Sequence, residues 1–338
     1  MPHDALKTLF HPFEAESLAA PGEDQRVLFL GAEPGFRLPE GFDADLSLVQ
    51  GFRPWFRVLA GRYKTAPQPE GENFDAALVL CGRHRGQNEL RIAEALRRVR
   101  AGALILVAGG KDDGIASLRK RVEGLLDLEG QMPKHHGVAF WFRRPGDVSQ
   151  AVAALCTGNG ETLIEGRFVA APGMFSSDRI DAGSKLLADN LPEKISGAVA
   201  DFCAGWGFLA AELAQRYPKI SALDLYEADF ASLEAAKRNL AGAGSVEPRF
   251  FWHDLLAEEV PRRYDFIVMN PPFHQKREAE PDIGQRMIRT ASVALKPGGR
   301  LLMVANRQLP YEKTLAEVFS SHFEVARDGV FKVLAAKR

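Results

Sequence analysis

Two adjacent prolines constrain this 338-residue chain more than any other feature, because they close an apolar run and fix the backbone that follows it. Phe266-Ile267-Val268-Met269 reads as a strand, and Asn270-Pro271-Pro272-Phe273-His274 follows it directly. A proline ring fixes φ and keeps the preceding residue out of the helical region, so the chain leaves the strand in a stiff, extended turn. Such a turn holds the Asn270 amide oxygen and the Asn270 and Pro271 carbonyls in fixed directions. A planar group with an exocyclic amine fits there, its hydrogens accepted at the edge and its face stacked on Phe273. An ordinary strand-end turn explains the same residues, and the local sequence leaves both readings open.

The upstream context decides between them. Ala198-Val199-Ala200-Asp201-Phe202 is a short apolar strand, followed by Cys203-Ala204-Gly205-Trp206-Gly207 and a helical stretch from Phe208 to Arg216. A strand, a glycine turn and a helix opening bring backbone N–H groups close to a ligand. The third glycine of the dinucleotide pattern is replaced by Ala210, and Cys203 stands in place of a first glycine. The next strand, Ile220 to Tyr226, ends in Glu227, which is placed to bind both hydroxyls of a ribose. Asp224 is the rival for that role, but it lies within the strand. Asp254 follows the strand-like Arg249-Phe250-Phe251-Trp252, where a carboxylate can accept from an adenine amine. A glycine loop, two acids and the Asn-Pro-Pro-Phe turn at successive strand ends point to a bound nucleoside and an amine substrate.

This series of motifs resembles the class I S-adenosylmethionine-dependent methyltransferases, in their amine-methylating form. Further segments narrow the likeness: Pro172-Gly173-Met174-Phe175-Ser176, Asp181-x-Gly183-Ser184-x-Leu186-Leu187, Val304-Ala305-Asn306-x-x-Leu309-Pro310-Tyr311 and Phe331-Lys332-Val333. Together they are similar to the RsmC/RlmG group of ribosomal RNA guanine-N2 methyltransferases, and nearest its small-subunit branch. The likeness is strong over residues 165–338. It is weaker in the first half, at Val107-Ala108-Gly109-Gly110-Lys111-x-x-Gly114 and from Lys134 to Arg144. Cys203 and Trp206 depart from the group's glycine loop and put in question how the methionine part of the cofactor is held.

The resemblance implies an α/β fold of two Rossmann-like methyltransferase-type domains in tandem. The first, about 1–150, is expected to be degenerate and to bind or support RNA. The second, 165–338, is expected to be a complete class I methyltransferase with an antiparallel edge pair near 323–326 and 330–334. S-adenosylmethionine is the implied cofactor, held by Phe175, Asp181, Ser184, Asp201, Cys203, Gly205, Gly207, Glu227, Asp254 and Asn270. Asn270, Pro271 and Phe273 are the catalytic candidates. Pro272, Phe273, His274 and Arg307, with Arg83, Arg85 and Lys111 from the first half, are the substrate-binding candidates. The implied substrate is ribosomal RNA or the small ribosomal subunit.

The residues themselves bound the rest. In the first half Arg26–Leu30, Ala76–Leu80, Ala103–Val107 and Val138–Phe142 read as strands, with a helix over Gln87–Val99, so βαβ units and a parallel sheet are expected there too. The stretch 146–171 reads as the connection, with a hairpin near 162–169, and a helix should begin at Asp178 or Asp181 with Leu186 and Leu187 inward. The net charge of −1 gives no overall cationic field. Residues 81–144 nevertheless carry 13 Lys or Arg against 7 Asp or Glu, a balance of +6, where residues 1–80 carry 7 against 12. Either an RNA-contacting face or ordinary solvated helices produce that asymmetry. Three scattered cysteines suggest neither a disulfide framework nor a metal site, and with no signal-peptide or membrane-length apolar run a cytoplasmic protein is expected. Other amine methyltransferases (of protein glutamine, DNA adenine or large-subunit rRNA), a nicotinamide oxidoreductase and a non-catalytic RNA-binding factor stand as alternatives.

Overall fold

A computed structural model describes residues 4–244, 246–272 and 281–338, with the backbone alone at 281. The chain divides into two compact units, Met1–Glu161 with Ala171–Gly173, and Thr162–Ala170 with Met174–Arg338. The first unit contains, in order, α1 (Asp4–Glu14), β1 (Arg26–Leu30), β2 (Asp45–Val49), α2 (Arg53–Ala60), β3 (Lys64–Ala66), β4 (Phe74–Leu80), α3 (Arg85–Arg98), β5 (Val99–Gly110), α4 (Ile115–Glu123), β6 (Leu128–Lys134), β7 (Gly137–Arg143) and α5 (Ser149–Cys156). The second contains the hairpin β8 (Thr162–Ile164) and β9 (Phe168–Ala170), then α6 (Ala182–Asp189), β10 (Gly197–Phe202), α7 (Phe208–Arg216), β11 (Ile220–Glu227), α8 (Phe230–Asn239) and β12 (Arg249–Trp252). It continues with β13 (Tyr264–Met269), α9 (Pro281–Ala294), β14 (Leu295–Asn306), α10 (Tyr311–Val318), β15 (Ser321–Arg327) and β16 (Phe331–Lys337).

The two sheets share one strand order. The first runs β3-β2-β1-β4-β5-β7-β6 and the second β12-β11-β10-β13-β14-β16-β15. In each, five parallel strands are followed by an antiparallel pair. Central strands such as β4 and β13 are almost entirely buried, as expected where helices cover both faces of a parallel sheet. In both units the chain builds outward on one side, then returns to build on the other. The order therefore reverses between β1 and β4, and again between β10 and β13. Ligand crevices form at the carboxyl ends of strands at such a reversal.

The expected tandem α/β architecture is therefore present. Several elements of the first unit left no clear sequence trace. Among them are α1, the strand β2, the edge strand β3, and the helix α5 inside the stretch read as a connection. β3 has only three residues, too few for a period to register. α5 packs on α3 within the first unit.

One side of the second sheet rests on a polar contact buried in its core. Tyr264 donates from its hydroxyl to Asp224 Oδ2 (2.6 Å) and shares a 2.7 Å hydrogen bond with the Tyr226 hydroxyl. Asp224 is fully buried and also accepts from Arg249 Nε (2.6 Å). This ties β11 to its neighbour β12 and, across β10, to β13, and commits Asp224 to structure, away from the strand tip. Tyr264→Phe removes a buried hydroxyl from two partners and is expected to cost about 1–3 kcal/mol of stability. Chemical denaturation should show that loss, with ligand affinity unchanged in the folded protein.

Candidate active site

The order reversal between β10 and β13 places two sequence-distant turns next to each other. Phe202 and Met269 are paired across the ladder, so Cys203 and Asn270 leave adjacent strand tips. Phe175, Asp181, Ser184, Cys203, Gly205 and Asn270 line one cleft there. Six of the expected site residues are thus brought together. Ser176, Ala204, Trp206, Phe208 and Leu209 complete the lining. Sequence reasoning gave the last two no role, although the first turn of a helix behind a glycine loop always faces the loop's ligand side.

Asn270 is held by its nitrogen. Nδ2 donates to Asp181 Oδ2 (3.0 Å) and to Ser184 Oγ (2.7 Å). Asp181 is the N-cap of α6, and the same Oδ2 accepts from the Ser184 backbone N–H (2.8 Å). Of the two helix starts expected, Asp181 is the one used, with Leu187 buried and Leu186 half-buried. Pro271 is buried and Pro272 exposed. Phe273 and His274 lie outside the described residues.

The glycine loop is built from three left-handed residues with different causes. Cys203 adopts φ +61°, a conformation that disfavours a side chain. Gly205 has φ +55°, and a Cβ there would meet no protein atom, so the room above it belongs to the cleft. Gly207, at φ +91°, would put a Cβ 2.6 Å from Leu240 Cδ1 and 3.1 Å from Ala236 Cβ. Its glycine is required by packing of α8 against the start of α7. Trp206 turns inward, its ring 5.2 Å from that of Phe168 and its Nε1 donating to the Phe175 carbonyl (3.0 Å). That residue anchors the loop to the hairpin and to the segment before α6, while the Phe175 ring itself is 62% exposed.

Two acids lie behind the loop, and neither has an ion-pair partner among the described residues. Glu227 accepts from the Gly205 N–H through Oε2 (2.7 Å) and from the Asp229 N–H through Oε1 (2.8 Å). Burial pushes its carboxyl up to about 7. Asp201 is fully buried and accepts from the Ala210 N–H through Oδ2 (3.0 Å), whereas Oδ1 has no partner. Burial, with the Glu227 charge adding to it, raises the Asp201 carboxyl well above the ordinary carboxylate range. An orphaned carboxylate oxygen, a half-free second acid and a bare Gly205 suit a ligand that brings hydroxyl and ammonium donors. Asp254 does not line the cleft; Oδ1 accepts from the Leu256 N–H (3.0 Å) and shapes the turn after β12.

The remaining candidates are elsewhere. Arg307 donates to the Asp328 carbonyl (3.3 Å) beside the β15–β16 turn. In the first unit Arg83 stands 3.9 Å from Asp113, and Arg85 pairs with Glu89 at 2.7 Å. Arg97 and Arg98 both pair with Glu94, Arg119 with Glu123 and Arg143 with Glu129. These pairs use the segment's own acids, so its net balance of +6 remains. Lys111, Lys120 and Lys134 have no ion pair among the described residues.

The first unit's own crevice is filled. Gln50 stands directly after β2 where Glu227 ends β11, and it accepts from the Phe52 N–H (2.7 Å) as Glu227 does from Asp229. Its Nε2 donates to the Ala32 carbonyl (2.6 Å) in the loop after β1. Arg91 donates to the Leu80 carbonyl (2.8 Å), and its guanidinium lies where a Cβ on Gly31 would be only 2.6 Å away. The loop is thus closed against a ligand by protein atoms.

The methyltransferase small domain family model matches residues 165–335. The chain is 31% identical to the ribosomal RNA small subunit methyltransferase C of Escherichia coli O6:H1 (strain CFT073), over 93% of this chain and 92% of the relative. It is 41% identical to the protein of the same name from Salmonella newport (strain SL254), over 92% of each. Among solved structures, the T. thermophilus 16S rRNA N2 methyltransferase RsmC, in complex with AdoMet and guanosine, matches in fold with a TM-score of 0.78 at 23% identity. That match covers all of this chain and 92% of the other.

The two glycines behave as separable probes of packing and ligand room. Gly207→Ala is expected to lower the thermal midpoint by several degrees, since its Cβ meets Leu240 and Ala236. Gly205→Ala meets no protein atom and should cost only the backbone strain of an alanine at φ +55°, a smaller fall in the midpoint, while weakening binding of the nucleoside cofactor expected from the motifs. Differential scanning fluorimetry with and without that cofactor separates the two.

Proposed function

The chain belongs to the methyltransferase small domain family, and to the ribosomal RNA small subunit methyltransferases C within it; from that membership we propose that it methylates the exocyclic 2-amino group of a guanine in 16S rRNA. The observation that carries this reading is the placement of Asn270 and the Gly205 loop on one cleft at adjacent strand tips. No group of three metal-ligating side chains occurs among the described residues. No helix there is long and apolar enough to cross a membrane.

S-adenosylmethionine, when bound, supplies an electrophilic methyl group on a positively charged sulfur. Glu227 would accept from its ribose hydroxyls, and the unpartnered Asp201 oxygen and the Gly205 amide would face its amino acid part. The difficulty lies with the substrate: the lone pair of a guanine 2-amino nitrogen is delocalised into the ring. Acceptors on both amine hydrogens favour a pyramidal nitrogen whose lone pair can point at the methyl group. The Asn270 Oδ1 and the Pro271 carbonyl are the acceptors proposed for that task. They are oriented before the reaction begins, so they stabilise the developing charge without reorganising. The proton leaves after transfer, so no strong base is needed and His274 is given no such role. Phe273 would stack on the extruded base, an interaction worth about 1–3 kcal/mol. The first unit, with its own crevice filled, is proposed to contribute RNA contacts through Arg83, Arg85 and Lys111.

The direct test is mass spectrometry of 16S rRNA nucleosides from a strain lacking the gene, where one N2-methylguanosine should disappear. Methyl incorporation into naked rRNA and into assembled 30S particles then identifies the form recognised. Asn270→Ala is expected to abolish most turnover while leaving the cofactor Kd within a few-fold. Equal loss of both would remove Asn270 from the role of amine acceptor.

Cofactor binding should also carry the signature of Glu227. Only the carboxylate accepts from both ribose hydroxyls, and its carboxyl titrates near 7 before the ligand arrives. Affinity is therefore full above that pH and falls as pH drops through it, by about tenfold per unit below. Calorimetry between pH 5.5 and 8.5 should show this slope in the wild type and a weak, flat response in Glu227→Gln. A flat wild-type profile would exclude ionised Glu227 as the ribose partner.

A further inference from the structure

A side-chain amide works as an acceptor only if its oxygen, and not its nitrogen, faces the donor. The two ends of an Asn side chain are nearly the same size, so sterics alone do not choose between them. At Asn270 the choice is made by chemistry. An ionised carboxylate has no hydrogen to donate, so the atom 3.0 Å from Asp181 Oδ2 must be the amide nitrogen. The second amide hydrogen goes to Ser184 Oγ at 2.7 Å. Both N–H groups are then used inside the protein, and no described residue donates to Oδ1.

We propose that Asp181 and Ser184 are positioning residues for methyl transfer, holding the Asn270 amide so that its oxygen meets the incoming amine. This rests on the reading of Asn270 as the amine acceptor, says what keeps it in that state, and gives Asp181 and Ser184 that role in place of the cofactor contact expected of them from the resemblance. Rotating the amide by half a turn would set two acceptor oxygens against each other at Asp181 and present an N–H to the substrate's N–H. The bond to Asp181 is charge-assisted, which makes it the stronger of the two constraints. Asp181 Oδ2 also caps α6 through the Ser184 N–H, so folding of that helix and setting of the amide are accomplished by one oxygen atom. The partners are 89 and 86 residues away from Asn270, and both are brought to it only by the docking of α6 beside the β13 tip.

The role predicts a pattern of rates that simple structural support does not give. Asp181→Ala should lower the single-turnover rate about 10–100-fold at saturating cofactor and RNA, with the cofactor Kd within a few-fold. In an Asn270→Ala background the same change should alter the residual rate by less than about twofold, because the group it positions is gone. Asn270→Asp sets two carboxylates together and should give a slow enzyme whose rate depends on pH, as one of the pair is forced to hold a proton. Should Asp181→Ala fail to fold, Ser184→Ala keeps the backbone cap, removes only the second acceptor, and should still lower kcat without changing cofactor Kd.

The proposal is overturned if Asp181→Ala weakens cofactor binding as much as it slows transfer, or if its effect multiplies fully onto Asn270→Ala. It is also overturned if Ser184→Ala leaves kcat unchanged while Asp181→Ala unfolds the chain. A full rate in Asn270→Ala itself is a different outcome, and it would dismiss the acceptor role on which the clamp depends.

Discussion

The parallel pairing of β10 with β13 is the constraint on which the active centre depends. Its register sets Phe202 against Met269, and everything chemical follows from what the chain does one residue later on each strand. On one side the backbone enters a left-handed turn at Cys203; on the other the two prolines fix φ and bar the preceding residue from the helical region. A slip in this pairing would separate the acceptor from the loop by a full residue rise of about 3.3 Å, more than methyl transfer tolerates. The apolar content of both strands, buried on both faces of the sheet, gives the register its strength.

Charge is arranged against the empty cleft. Asp201 and Glu227 are buried close together with no cation to balance them, and burial raises both carboxyls. Such a pair destabilises the folded chain by itself and is relieved by a ligand carrying a positive charge and hydroxyl donors. The buried acid on the neighbouring strand, Asp224, is treated in the opposite way, with Arg249 and Tyr264 supplied by the protein. Three acids within one sheet thus separate into one held by a cation and a hydroxyl of the protein and two held by backbone N–H groups alone.

The sequence was legible where meaning resides in short range. The Asn-Pro-Pro-Phe turn, the glycine loop and Glu227 each follow a strand and could be read from adjacent residues. The orientation of the Asn270 amide could not, because it is decided by Asp181, far away in the chain. The two loop glycines look alike in sequence, yet Gly205 opens to the cleft and Gly207 is crowded by Leu240, a difference created by the docking of α8. The positive balance of residues 81–144 was visible, but which of its cations are paired depends on helical i,i+4 contacts such as Arg85–Glu89 and on cross-strand contacts such as Arg143–Glu129. Counting charges along the chain takes no account of which of them touch.

The amide at Gln50 has a consequence for how such a tandem chain can change. Restoring a carboxylate there would put an oxygen against the Ala32 carbonyl, which now receives the Nε2 hydrogen. The replacement would lose a bond before it gained a ligand, and Arg91 would still occupy the loop. No single substitution therefore reopens the first crevice. A ligand could enter it only if Gln50 and Arg91 changed together, so the two side chains act as one plug.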